Sequence, residues 1–425
     1  MSIIELGEVR DEPVSTPPPR RPRAAGRPLR STGVLLLTLV VLTAGAPVPR
    51  RAVTSVPTVP DASAYLTDDG VVVVVDPTTP DGERYLTAYT LPSATGEQSL
   101  RRRWRVPLAR SGDYLAVWAE RGLLLAVGAN TADVLETTAF DAATGQRRWH
   151  HPGLVQWTVD GGLLLVDDAD DAPGTVSRVA PDTGRVLWSV PLPPGSPDYH
   201  ERDGRVDQVV VVQPTGELQV YDAGTGTLLR SVDTLPGDRS AFQRVQVVGD
   251  LVLLVPPGST RLVAYSLPDI APMWTSPVPL VAWLVACADL LCAGQQTGGL
   301  QAIDATTGAV RWAHPGPDML ADVRQDRLLM MGRDQRYAVR DAKTGQERTD
   351  LGQWGLVSRL RRDDDLIGIR STVDGRLVVA ELDLAAGRAR TLDILPGVAG
   401  GCQAALPVLL CRRLDGSTAL WRLPR

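Results

Sequence analysis

Apolar residues in this chain fall into short runs broken by turn-forming residues, and no 3.6-residue stripe of useful length appears beyond residue 50. Runs such as GLLLAVG (122–128), DQVVVVQ (207–213) and DRLLMMG (326–332) are each followed by a second, more polar run: LETTAFD (135–141), ELQVYD (217–222) and RYAVRD (336–341). A turn comes next, then an extended stretch such as RVLWSVPL (185–192). A further short strand, of the kind seen in YLAVWAE (114–120), separates one group from the next. Four short strands per forty-odd residues is the pattern of a propeller blade.

The turn between the third and fourth strands carries the repeat. Taking its glycine as the register position gives Gly96, Gly145, Gly184, Gly226, Ile270, Gly308, Gly345 and Gly387, at steps of 37 to 49 residues. Threonine precedes it in six copies (Thr95, Thr144, Thr183, Thr225, Thr307, Thr344). Aspartate stands four residues earlier in five (Asp141, Asp222, Asp304, Asp341, Asp383), and tryptophan four residues later in four (Trp149, Trp188, Trp274, Trp312). Glycine supplies positive φ at a tight corner. Aspartate and threonine side chains can bond the exposed N–H groups of that corner, and tryptophan offers a flat surface for packing between blades. These residues read as structural, one corner and one wedge per repeat.

The segments FDAATGQRRW (140–149) and IDATTGAVRW (303–312) resemble the A-x-D-x-x-T-G-x-x-x-W docking motif of the pyrroloquinoline-quinone-like (PQQ-like) propellers, and VAPDTGRVLW (179–188) and VYDAGTGTLL (220–229) match it in part. The resemblance covers about residues 60 to 423. It implies an all-β, eight-bladed propeller of four-stranded antiparallel blades, and it is shared by quinoprotein alcohol dehydrogenases and by a non-enzymatic branch of the outer-membrane assembly machinery. The enzymes' site, as the resemblance implies it, needs adjacent cysteines and a calcium set of Glu, Asn and Asp beside a catalytic Asp. This chain has no adjacent cysteines and a single asparagine, Asn130. The expectation is therefore the non-enzymatic branch, with no catalytic residue and no cofactor; the alternative is a ligand sensor or quinoprotein-type enzyme using the central channel.

Ring closure is open at this level. Eight register positions predict eight blades, yet 402–423 reads as three strands of one more module. Either those strands complete the first blade with the strand near Trp104, displacing the Val71–Tyr89 hairpin, or the Ile270 copy is not a full blade.

Composition changes the picture mainly at the N-terminus. Residues 1–30 are Pro- and Arg-rich and cannot build a core. Residues 31–49 carry no charge and follow five arginines (Arg20, Arg21, Arg23, Arg27, Arg30). That pattern predicts a single transmembrane helix with its N-terminus cytoplasmic, against the rival of a signal peptide cut after Ala44-Gly45-Ala46. Residues 50–60 then read as a linker and 61–425 as an extracytoplasmic propeller, a cell-membrane protein whose partner is another envelope protein. The near absence of lysine points to a GC-rich bacterial source, and the net charge, 44 − 49 = −5, carries no nucleic-acid footprint.

Four cysteines in an exported domain favour bridges, and each pair flanks a turn between the first two strands of a module. Cys287 pairs with Cys292 across Asp289-Leu290, the two directly opposite each other, and Cys402 pairs with Cys411 across Leu406-Pro407. Other chemistry is sparse. His150, His151, His200 and His314 read as surface strand residues, and 167–171 (DDADD) and 361–365 (RRDDD) as solvated tips. Residues 101–105 (RRRWR) read as a basic strand alternating with solvent. No metal set is expected.

Overall fold

The apolar runs are unbroken where the second strand of a blade is buried on both faces. In Val71–Val75 all five residues are buried. Val71, Val73 and Val75 face the following sheet, while Val72 and Val74 face the preceding one, where the chain ends meet. A strand enclosed on both sides cannot alternate apolar with polar residues. The computed structural model describes residues 53–91, 99–108, 114–130, 134–169, 172–193, 197–234, 244–255, 260–359 and 365–424.

These residues form nine sheets, each built on four antiparallel strands; in the first eight the strands follow chain order from the inner to the outer, and the ninth carries a fifth, parallel strand, Ser358–Arg359. Blades 1 to 8 span 63–107, 114–152, 154–192, 198–233, 244–276, 281–314, 319–353 and 355–396. Blade 9 takes its inner three strands from Val398–Ala405, Val408–Arg413 and Thr418–Arg422, and its outermost strand from Val53–Val56 at the other end of the chain. That last pairing sets Val53 against Trp421 and Val56 against Thr418.

The core is correspondingly divided. Nine apolar clusters occupy the nine interfaces between consecutive blades, including the one that joins blade 9 to blade 1 through Val56, Leu66, Val72, Val74, Leu410 and Leu420. The ring is closed.

The expected eight blades are thus corrected to nine. Every register position among the described residues marks a turn between third and fourth strands that are contiguous in sequence. Blade 9 has no such turn, because its fourth strand comes from the N-terminus. Neither closure alternative holds: blade 1 keeps its own four strands, and the Ile270 copy is a complete blade, 244–276. The stretch read as a linker, 50–60, contributes the closing strand. The transmembrane helix of the same expectation, 31–49, lies outside the described residues, as do 92–98, which hold Thr95 and Gly96. No helix among the described residues is long and apolar enough to cross a membrane.

Both disulfides form as expected, Cys287–Cys292 with Cα atoms 5.8 Å apart and Cys402–Cys411 at 4.1 Å. The register differs at the first. Cys287 stands opposite Leu290 and Cys292 opposite Val285, so the bridge is diagonal. The turn is Ala288-Asp289, with Ala288 at φ 57°, one residue earlier than the spacing implied. At the second bridge Cys402 occupies a bulge, between ladder pairs Gly400–Arg412 and Gln403–Leu410.

Blade 8 is irregular. Its inner strand is only Gly355–Leu356, after which Ser358–Arg359 runs parallel to the inner strand of blade 9.

Candidate functional site

The repeated turn is a hydrogen-bonded corner. Asp141 Oδ1 accepts from the Thr144 N–H at 2.8 Å and the Thr144 hydroxyl at 2.9 Å, while its Oδ2 accepts from Arg148 at 2.6 Å. Asp341 does the same with Thr344 and Arg348, and Asp304 accepts from the Thr307 N–H, the Thr306 hydroxyl and Arg311. Asp222 accepts from Thr225 and Asp383 from Ala386, without the arginine. The Arg148 and Arg348 guanidinium groups, helped by the threonines, hold the Asp141 and Asp341 carboxyls down at about 2. Asp304 is held lower still, first by the hydroxyl of Thr306 and then by Arg311. These carboxylates are engaged by their own turns.

The wedge works between blades. Trp149 of blade 2 donates its indole N–H to the Pro181 carbonyl of blade 3 at 2.6 Å, and Trp274 and Trp312 reach Ala305 and Ala342 at 2.9 Å. Trp188 reaches the Gly224 carbonyl at 3.3 Å. The following glycine lies under the ring: a Cβ on Gly184, Gly226, Gly308 or Gly345 would fall 2.5 to 2.7 Å from indole carbons. A fifth wedge escapes the four-residue offset. Trp104 bonds the Ala142 carbonyl at 3.0 Å and lies on Gly145, but its own turn is longer. The ladder identifies it, since Ala88 faces Trp104 just as Ala139 faces Trp149, with a bulge following in both blades. Where blade 4 has Arg230 in place of the wedge, blade 5 has Ile270 in place of glycine, buried and at φ 51°. The glycine is needed where an indole lies on it.

The histidines stay apart. His150 meets Thr138 and Glu136, His151 the Gly184 carbonyl, His200 Asp207, and His314 Asp318. Among the described residues no group of three or more His, Cys, Asp or Glu is placed to hold a metal. In the basic strand Trp104 is buried and its neighbours are exposed. Arg105 pairs with Asp76 at 3.1 Å and lies over Tyr85.

Polar side chains on the innermost strands join blades to one another. Asp198 of blade 4 accepts from the Val247 N–H of blade 5 at 2.6 Å, and burial raises its pKa. Gln403 of blade 9 accepts from the Leu66 N–H and donates to the Ala64 carbonyl of blade 1. Arg244 donates to the Val281 carbonyl of blade 6, and Arg359 pairs with Asp322 of blade 7. All but the last of these contacts satisfy backbone groups along otherwise open strand edges.

A wide opening lies on the face formed by the turns between first and second strands. A cavity of about 850 Å³ extends across blades 1 to 4. Its lining includes Asp68 and Asp69 from blade 1, Trp118, Glu120 and Arg121 from blade 2, Gln156 and Trp157 from blade 3, and Glu201, Asp203 and Arg205 from blade 4. Arg205 is paired with Glu120 across blade 3, and the Arg121 guanidinium lies 5.7 Å from the Trp157 ring centre. The Trp157 Nε1 and the Arg205 Nη1 are buried without an acceptor. A smaller cavity of about 460 Å³ lies between blades 7 and 8, against Arg324, Arg327, Glu381 and Asp383. Among these cavity residues only Asp383, at the smaller cavity, belongs to the repeat motif. The sequence carries them two or three at a time on different blades, so no spacing announces them.

The family model described as outer membrane protein assembly factor BamB matches residues 68–313 and, in a second register of the repeat, 136–388. The chain belongs to this family. Its solved structural likenesses are distant. BamB from Moraxella catarrhalis is 13% identical with a TM-score of 0.45, over 87% of this chain and 99% of that one. The computationally designed Ika8 protein is 18% identical at 0.48, over 73% and 96%, and Sqt1 from Saccharomyces cerevisiae is 12% identical at 0.47, over 88% and 100%. No curated protein matches the chain. The family and the nine sheets carry the PQQ-like propeller; the likenesses add nothing finer about the site.

Proposed function

We propose that this chain is a non-enzymatic, extracytoplasmic propeller that binds another protein of the cell envelope and serves as a scaffold. The observation that carries the reading is the division of labour among its polar side chains. Those of the repeat and of the inner strands are engaged in corners and blade-to-blade bonds, while the turns of four blades open a wide cavity on one face. Propellers recruit partners through such turn faces. Membership of a family described as an outer-membrane assembly factor supports a binding role. Extracytoplasmic placement is supported by the two disulfides, which persist in oxidising compartments, and by the arginine-flanked apolar stretch at 31–49, read as the anchor.

The test is co-purification of the full chain from membranes, followed by deletion of 53–425. A defined envelope complex should be recovered with the chain and should lose components or stability on deletion. Every envelope complex remaining intact would overturn the reading.

A further inference from the structure

We infer that the cavity across blades 1 to 4 receives a basic peptide segment of the partner; this rests on the protein-binding reading and gives it a site and a chemistry. Three observations converge. First, the cavity is the right size: about 850 Å³ lies inside the ~300–1,000 Å³ range of ligand pockets and admits a few residues of chain.

Second, it holds two buried donors without acceptors, Trp157 Nε1 and Arg205 Nη1. A buried donor left unmade costs free energy that an incoming acceptor recovers once the side chain turns towards it. Peptide carbonyls supply acceptors along an extended segment, and blade 3 already accepts backbone bonding at this point. There Thr158 pairs parallel with Val206, and the Val159 N–H reaches the Val206 carbonyl at 3.0 Å.

Third, the charge is one-sided. Five carboxylates line the cavity against two guanidinium groups, and one of these, Arg205, is already paired with Glu120. Glu201 and Asp203 are exposed at the rim. The excess negative charge favours lysine or arginine side chains and repels acidic segments and phosphates. The Trp118 and Trp157 rings can take the aliphatic stems and the cationic heads. Arg121 over Trp157 shows that the ring already accepts a guanidinium from within the chain.

The experiment is calorimetric titration of the detergent-solubilised full chain with a capped nonapeptide of alternating lysine, arginine and glycine. The same peptide with glutamate at every basic position, and spermidine, serve as the other arms. The basic peptide should bind, and raising salt to about 0.5 M should weaken it strongly. The double variant Glu201→Gln/Asp203→Asn should lose about tenfold in affinity, and Trp157→Phe, which keeps the ring and removes the N–H, about threefold to tenfold. Unchanged binding in both variants would overturn the site. So would equal or tighter binding of the acidic peptide, or spermidine binding as tightly with the same losses, which marks a small-cation pocket. No binding of the basic peptide overturns it as well. Membrane co-purification with the double variant separates the two readings. An undiminished envelope complex alongside lost peptide binding leaves the scaffold standing and removes this site from it, whereas a wild-type chain that recovers no complex fails the scaffold reading itself.

Discussion

Trp274 of blade 5 lies flat against Gly308 of blade 6, and its indole N–H bonds the Ala305 carbonyl three residues before that glycine. The same relationship joins Trp149 to Gly184 and Trp312 to Gly345. Gly308 and Gly375 share a φ of +73°, but nothing lies within 4 Å of a Cβ at Gly375, whereas at Gly308 it would fall 2.6 Å from the Trp274 ring. Gly375→Ala should cost about 1 kcal/mol, the left-handed backbone cost alone. Gly308→Ala should cost about 3 kcal/mol, because the indole must also shift. Denaturant midpoints of the two variants measure the difference, and equal losses would show that the indole does not constrain the turn.

Closure by Val53–Val56 should be separable from everything upstream. A chain beginning at residue 52 keeps the strand, and one beginning at 61 loses it. The second leaves the Thr418–Arg422 edge open and uncovers the cluster around Val56, which is only 3% exposed. It should be less stable by on the order of 3 kcal/mol and prone to edge-to-edge association. A peptide of residues 50–60 added in trans should restore both. Light scattering and thermal unfolding of the two chains decide the matter.

The corner aspartates should make stability depend on acid pH. Asp141 and Asp341 have folded pKa values lowered to about 2 by their arginines, from an ordinary 3.8. Their contribution is therefore complete above the ordinary carboxylate value and is lost as pH falls from about 4 through about 2. Asp198, raised by burial, acts in the opposite sense and gains stability on protonation. With three corners depressed, the net slope should be a loss towards acid. Asp141→Asn should flatten it, as read from unfolding midpoints between pH 2 and 6. A variant with the wild-type slope would remove Asp141 from the account.

Each disulfide closes a short loop, with sequence separations of 5 and 9. Loop-closure entropy then sets a gain of about 2 kcal/mol for Cys287–Cys292 and about 3 kcal/mol for Cys402–Cys411. Paired serine substitutions, compared with wild type under oxidising conditions, should show those losses without changing the fold by circular dichroism. The second bridge ties together the inner two strands of the closing blade. Its removal together with the N-terminal strand should therefore cost more than the sum of the separate losses.

The corner and wedge were readable from sequence because they are local. Asp141, Thr144 and Gly145 bond one another within five residues, so a linear spacing carries the whole device. Trp104 was missed where the spacing slips, and only its ladder partner Ala88 restores the register. Ile270 was noted as an irregular copy, but the reason for it lies on another blade, at Arg230.

Taken by itself, the sequence determined the all-β repeat, the seven corners that lie among the described residues, the cysteine pairs and the structural character of the histidine-bearing segments. Those are properties of residues close together in the chain, where turn chemistry and apolar periodicity act. Only the tertiary structure decided that there are nine blades, because the ninth is assembled from Val53–Val56 and Thr418–Arg422, whose pairing is hydrogen bonding between opposite ends of the chain and leaves no contiguous signature. The cavity had the same origin. Its tryptophans, carboxylates and arginines come from the turns and inner strands of four blades, and only the curvature of the closed ring brings Glu120 to Arg205.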